Sequence, residues 1–314
     1  MNEFTMTSGT IKTMETFATT IKRCVELSLG NNYEVMVQEV NKNNGVCLTG
    51  VTIKETNSKI APMIYLESAF EAYKKGRSLA SICNEIIQVY KENCTLDAFD
   101  EKDITEYERV KDKVCYKLVN AERNQSLLKR VPFIPFHDLA VIFYVEVFQN
   151  TEKTGSVTVT NELMELWKKD AFAVIKDAVA NTERLHEGVV IHMLDMLEEL
   201  RNSLFASNEA VFYDINPREA FPLFVATNKE RLHGASVILY DGFLEDFADE
   251  IDNNFYILPS STHEVIFVPD HPDMDVQYFK DMVREINIVE VVPQEVLSDS
   301  IYYFDRADGL LMKL

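Results

Sequence analysis

The sequence predicts an α+β fold, made of antiparallel β-hairpins and meanders covered by helices and divided into two domains. Segments with apolar residues at helical spacing alternate irregularly with short β-branched runs. Turn-forming clusters join several of those runs at hairpin distance. No strand–helix–strand repeat runs along the 314 residues, and a doubly wound parallel sheet needs one.

Thr13–Leu29 reads as a helix, since Met14, Phe17, Ala18, Ile21 and Val25 recur on one face and Gly30-Asn31-Asn32 stops it. Tyr33–Val40 and Val46–Ile53 are strands around the hairpin turn Asn41–Gly45, and Ile60–Leu66 adds a third. Helices follow at Ser68–Lys75 and Leu79–Glu92, the second with Ile82, Ile86, Ile87 and Tyr90 at core spacing. Leu96–Glu108 is an acidic connector. Val114–Val119 is a strand and Asn120–Lys129 a short helix. Pro132 and Pro135 break the chain before the long strand Leu139–Phe148, which Gln149–Gly155 turns back into Ser156–Thr160. Helices fill Glu162–Leu185, capped by Thr160 or Asn161.

His186-Glu187-Gly188 marks the expected domain boundary, giving a charge-balanced domain over 1–188 and an acidic one over 189–314. Beyond it, Val190–Phe205 reads as helix, and Phe221–Ala226 and Ser236–Tyr240 as strands. Phe243, Leu244, Phe247, Ala248 and Ile251 define an amphipathic helix. Phe255–Leu258 and Glu264–Val268 are strands, and Val276, Phe279, Met282, Val283 and Ile286 mark the last major helix. Ser300–Phe304 and Leu310–Lys313 close the chain as a hairpin about Asp308-Gly309.

Charge narrows the function. Of the net −20, all lies after residue 130: residues 1–130 hold 18 basic and 18 acidic side chains, residues 131–314 hold 13 and 33. From Leu232 to Phe279 there are ten carboxylates and no Lys or Arg. Nucleic acids and anionic membranes are held by cations that replace counterions, so this half repels both. The partner it suits is a basic protein; mimicry of a nucleic-acid backbone is an alternative. The start of the chain shows no signal-peptide pattern, and the longest apolar run is half a bilayer span, so the cytoplasm is the expected location. Five cysteines form no C-x-x-C pair, have no interleaved histidine and are read as reduced thiols. No cofactor is expected.

Phosphate-binding glycine loops, the G-x-S-x-G elbow and H-E-x-x-H are all absent; His263-Glu264-Val265-Ile266-Phe267 has Phe at the second ligand position. The richest chemistry lies in Tyr256–Asp275. Ser261, His263, Glu264 and Asp270 are the candidate catalytic residues. Ser261 and His263 share a face if the strand extends through them, and Asp270 is the candidate orienting acid of a hydrolase, metal-assisted in one form. The competing reading is a hairpin loop whose hydroxyls satisfy turn amides. His271, Asp273 and Asp275 form a weak metal set; Asp275 also suits a cap of the helix from Val276. His137-Asp138 at the start of the long strand is read as a structural hydrogen-bonding pair, and His186, His192 and His233 stand alone.

Tyr116–Asn124, Val131–Val141, Thr160–Met164 and the Pro-Ser-Ser-x-His-Glu segment from Pro259 to Glu264, together with Val265-Ile266, resemble a bacterial domain-of-unknown-function family over nearly the full length. The resemblance implies a bacterial cytoplasmic protein and carries over no activity, cofactor or catalytic residue. The expectation is a non-enzymatic interaction or regulatory protein with an acidic carboxy-terminal face.

Overall fold

Helix caps, alternating strands and turn residues set the elements of the computed structural model, which describes residues 11–56, 62–93, 102–149, 154–198 and 222–314. Three antiparallel sheets and a set of covering helices make the fold α+β. The chain divides into two compact units: Met1–Lys42 with Val46–Asp100, and Asn43–Gly45 with Glu101–Leu314.

In the first unit, α1 (Met14–Leu29) is capped by Thr13, whose hydroxyl accepts from the Thr16 amide. It buries Phe17, Ala18, Ile21 and Val25. Strands β1 (Tyr33–Asn41), β2 (Cys47–Glu55) and β3 (Met63–Tyr65) form a meander with β2 central. Helices α2 (Glu67–Lys74) and α3 (Leu79–Asn93) complete a core in which Phe17, Ile21, Val51, Ile53, Leu66 and Ile82 are essentially dry.

The second unit's first described elements are α4 (Lys102–Thr105), inside the connector expected as a loop or short solvated helix, and α5 (Tyr107–Val110), which runs past its end. Strand β4 (Val114–Asn120), helix α6 (Gln125–Leu128), and strands β5 (Phe133–Phe136), β6 (Leu139–Gln149) and β7 (Thr154–Thr158) follow. β4 pairs along one edge of β6, and β5 and β7 share the other. Helices α7 (Asn161–Trp167) and α8 (Ala171–Leu185) are capped by Thr160 and Asp170, whose side chains accept from Leu163 and Ala173 amides.

Next come β8 (Gly188–His192), α9 (residues 193–198), β9 (Phe224–Asn228), α10 (Phe243–Ile251), β10 (Phe255–Pro259), β11 (Val265–Pro269), α11 (Val276–Val289), β12 (Tyr302–Asp305) and β13 (Leu310–Lys313). Six of them make a sheet in the order β13-β12-β10-β11-β9-β8. Its inner face, with Ala226, Phe255, Ile257, Phe267 and Phe304, shares one core with Tyr116, Leu118, Val141 and Phe143 of the four-stranded sheet. Its other face, with Tyr256, Leu258 and Val268, packs on α11.

Two expectations are corrected here. Val190–His192, expected as helix, is strand: Gly188–His192 is a β-branched run that pairs with β9 from Gly188↔Asn228 to His192↔Phe224. Ser236–Tyr240, expected as strand, lies largely in a 3-10 helix, Gly234–Leu239, that packs Ala235, Val237 and Ile238 into the core; a short apolar run has no period that separates the two. The boundary expected at 188 falls within the second unit, between α8 and β8, and one hydrophobic core runs across it. Parts of the expected Ile60–Leu66 strand, the 149–155 turn, the helix to Phe205 and the strand from Phe221 lie outside the described residues, as does Cys94.

Candidate functional site

The Pro259–Glu264 loop joins β10 to β11, and its polar groups bond mainly to backbone. Ser261 Oγ accepts from the His263 amide at 3.0 Å, and the Ser261 amide donates to the Glu264 carbonyl at 3.1 Å. Ser260 Oγ reaches Glu264 Oε1 at 3.4 Å. His263 Nδ1 accepts from the His233 amide at 3.2 Å, and its Nε2 lies 3.9 Å from Glu295 Oε1. Asp270 stands past the opposite end of β11, about 20 Å away at the rise of an extended strand. It accepts from Tyr303 Oη at 2.8 Å; burial and that carboxylate hold the Tyr303 phenol up at about 12. Ser261 and His263 are therefore neighbours, and Asp270 is not with them.

The weak metal set is only partly brought together: His271 Nδ1 lies 3.6 Å from an Asp273 carboxylate oxygen, and Asp275 is turned to the start of α11. His271 Nδ1 accepts from the Asp273 amide, with both side chains exposed, and Asp275 caps α11 through the Gln277 amide at 2.9 Å. Asp138 accepts from Ser298 Oγ at 2.6 Å and Tyr302 Oη at 2.8 Å. Burial opposes its charge, but those bonds prevail and hold its carboxyl below the ordinary range.

A different constellation forms where β4, β6 and the end of α8 meet. Cys115 of β4 lies directly opposite Tyr144 of β6, so their side chains share a face, and Glu146, two residues on, joins them. His186 closes α8, its amide bonded to the Thr182 carbonyl, and it swings its ring into that group. Its Nε2 lies 2.9 Å from Glu146 Oε1 and 3.4 Å from Tyr144 Oη, and its Nδ1 lies 3.3 Å from Glu230 Oε2. Cys115 Sγ, a Glu146 oxygen and a His186 nitrogen all fall within 4.8 Å of one another.

Electrostatics sets the protonation here. His186 is 1% exposed; burial disfavours its cation, yet the Cys115 sulfur and the Glu146 carboxylate outweigh that and raise its pKa to about 10. His233 follows the opposite course. Burial, then the Lys117 cation and the neighbouring His263 and His186, draw it down to about 2, so its ring is neutral. It stacks on His263 with ring centres 5.7 Å apart and meets Tyr144 edge-on at 5.3 Å. Its Nδ1 is buried, with no hydrogen-bond partner among the described residues. Cys115 is completely buried, so its thiol is closed to an external substrate although it stands beside a histidine.

Sequence reading did not assemble this group, because its members lie tens of residues apart and have no motif spacing. One signal was present: Glu146 is the only charged residue in the apolar run Leu139–Phe148. A lone carboxylate in a buried strand requires a partner.

The fold and site together define an α+β protein with three antiparallel sheets and an inner thiol–carboxylate–imidazole group. Among the described residues, no helix is long and apolar enough to cross a membrane. The chain belongs to a family of unknown function, DUF5688, whose model matches residues 14–306. No curated protein and no solved structure matches it.

Proposed function

We propose that the chain is a non-enzymatic interaction protein whose acidic helix α10 meets a basic protein partner. The observation that carries this reading is the solvent face of that helix. Leu244, Phe247 and Ala248 are buried, and Glu245, Asp246, Asp249 and Glu250 stand exposed at consecutive turns. Arg306 pairs with Asp249 and Asp252, while Glu245, Asp246 and Glu250 make no ion pair among the described residues. Like charges held on one rigid face raise the local potential and steer a cationic partner, an effect that salt screens within about 10 Å.

The test is capture of partners from lysate by the wild type and by a variant with Gln at 245 and 250 and Asn at 246 and 249. Basic proteins retained by the wild type at low ionic strength should be lost at about 0.5 M NaCl, where the screening length falls to about 4 Å. Their association rate should fall about tenfold or more in the variant. Identical capture by both proteins, or none at low ionic strength, would overturn the proposal.

A further inference from the structure

We infer that the second unit binds one Zn2+ ion through Cys115 Sγ, Glu146 Oε1 and His186 Nε2, and that the ion fastens β4, β6 and the end of α8 to one another. Among the described residues these three form the one group of thiol, carboxylate and imidazole donors close enough to share an ion. Tetrahedral zinc holds sulfur at about 2.3 Å and nitrogen or oxygen at about 2.0–2.2 Å, which separates neighbouring donors by about 3.3–3.6 Å. The 2.9 Å Nε2–Oε1 distance is that of a hydrogen bond, so the ion takes the proton's place by widening it a few tenths of an ångström. The sulfur lies within 4.8 Å of a Glu146 oxygen and a His186 nitrogen, so each of its separations has to close by about 1.5 Å at most.

Three further features favour a metal over a plain ion pair. First, the other ring nitrogen faces Glu230 at 3.3 Å, which fixes the tautomer that presents Nε2 to an ion, as the carboxylate behind a zinc-bound histidine does. Second, thiolate and carboxylate together neutralise a dication, so the loaded site carries no net first-sphere charge into the interior. Third, the donors are preorganised. Cys115 and Glu146 sit on hydrogen-bonded neighbouring strands, and His186 is fixed by the last turn of α8.

The donor types select the ion class. Sulfur and imidazole exclude Mg2+ and Ca2+, which take oxygen shells, and suit a borderline cation such as Zn2+. Three protein donors leave the fourth tetrahedral position to a water molecule, and with Cys115 fully buried the ion's part is to fasten the fold. The site is therefore independent of the acidic helix.

The full-length protein, stripped with a chelator and reloaded, should retain one equivalent of Zn2+ through desalting. Reloaded with Co2+, it should show a sulfur-to-cobalt charge-transfer band in the near ultraviolet. Cys115→Ser should abolish that band, and Glu230→Gln should keep it while weakening zinc affinity about 10–100-fold. Because Cys115→Ser removes a buried side chain and can unfold the protein, Cys47→Ser, at the exposed thiol, should keep the band and separate Cys115 from the other thiols. A folded wild-type protein that keeps no stoichiometric zinc, or binds cobalt without the sulfur band, would overturn the inference.

Discussion

At Gly234 three stretches of backbone come closer than any side chain permits. A Cβ there would lie 2.2 Å from Thr227 Oγ1, 2.4 Å from the His263 carbonyl oxygen and 2.8 Å from the Asn228 amide nitrogen. Two of those atoms are backbone and cannot rotate away, so Gly234→Ala must part β9 from the 259–264 loop. Overpacking of this kind costs about 3 kcal/mol, which a lowered urea midpoint would register. Asp138 makes the complementary case for charge. Its folded pKa lies below the ordinary carboxylate value, so its bonds to Ser298 and Tyr302 stabilise the protein above about pH 3.9 and are lost as pH falls through the lowered value. Asp138→Asn should lower stability at pH 7 by about 1–3 kcal/mol and flatten the acid limb of the stability curve, measured by denaturant titration at several pH values. The sequence does not mark Gly234 and marks Asp138 only faintly. Asp138 was legible as a hydrogen-bonding residue beside a strand, but its partners are more than 150 positions away, and nothing local in a sequence discloses them.

Elements whose signals are local were the most legible. The Thr160 and Asp275 caps are legible in the sequence, each a short polar side chain with an amide two or three residues on; Thr13 and Asp170 cap in the same way without being singled out there. The final hairpin likewise follows from Asp308-Gly309, with Gly309 at a positive φ of 61°. Misassignment fell where the apolar run was too short to show a period. Val190–His192 reads as helix in the sequence, although its β-branched residues and the preceding Gly188 suit a strand, and Ser236–Tyr240 reads as strand although it packs largely as 3-10 helix. Those errors bear directly on the site. With a helix from Val190 and a boundary at 186–188, His186 would have lain in a linker, whereas it occupies a helix end with its ring turned into the space beside β6. The 259–264 loop is rich in chemical groups; the Ser261 hydroxyl accepts from a turn amide, and the loop backbone is held by Thr227 and the Glu295 carbonyl. Ser261 and His263 are brought together there, while Asp270 lies at the far end of β11.

The whole molecule distributes charge and core unequally between its two units. Residues 1–100 hold 10 basic and 12 acidic side chains, and residues 101–314 hold 21 and 39, so nearly all of the net −20 belongs to the second unit. The imbalance was readable from the sequence, but the notional break at 130 was not its structural edge, because surface charge does not follow packing. Each unit has its own dry core, so the carboxylates sit over a packed interior rather than in place of one. Such a surface repels itself, and that repulsion opposes compactness without touching the core contacts. Exposed ion pairs such as Arg123–Asp299 and Lys169–Glu108 offset little of it, since each contributes about 0–1 kcal/mol and salt weakens them as well. The balance fixes the sign of a salt effect. Raising NaCl from about 0.02 M to about 0.5 M at pH 7 shortens the screening length from about 20 Å to about 4 Å, which silences repulsion between turns of α10 and neighbouring carboxylates while leaving buried contacts intact. Thermal unfolding should then shift upward by about 2–4 °C, the equivalent of about 1 kcal/mol for a unit of this size. Calorimetry at the two salt concentrations, in a buffer free of divalent cations so that screening alone is varied, measures it. A midpoint that fell with salt would mean that attraction between charges, and not repulsion, governs this surface.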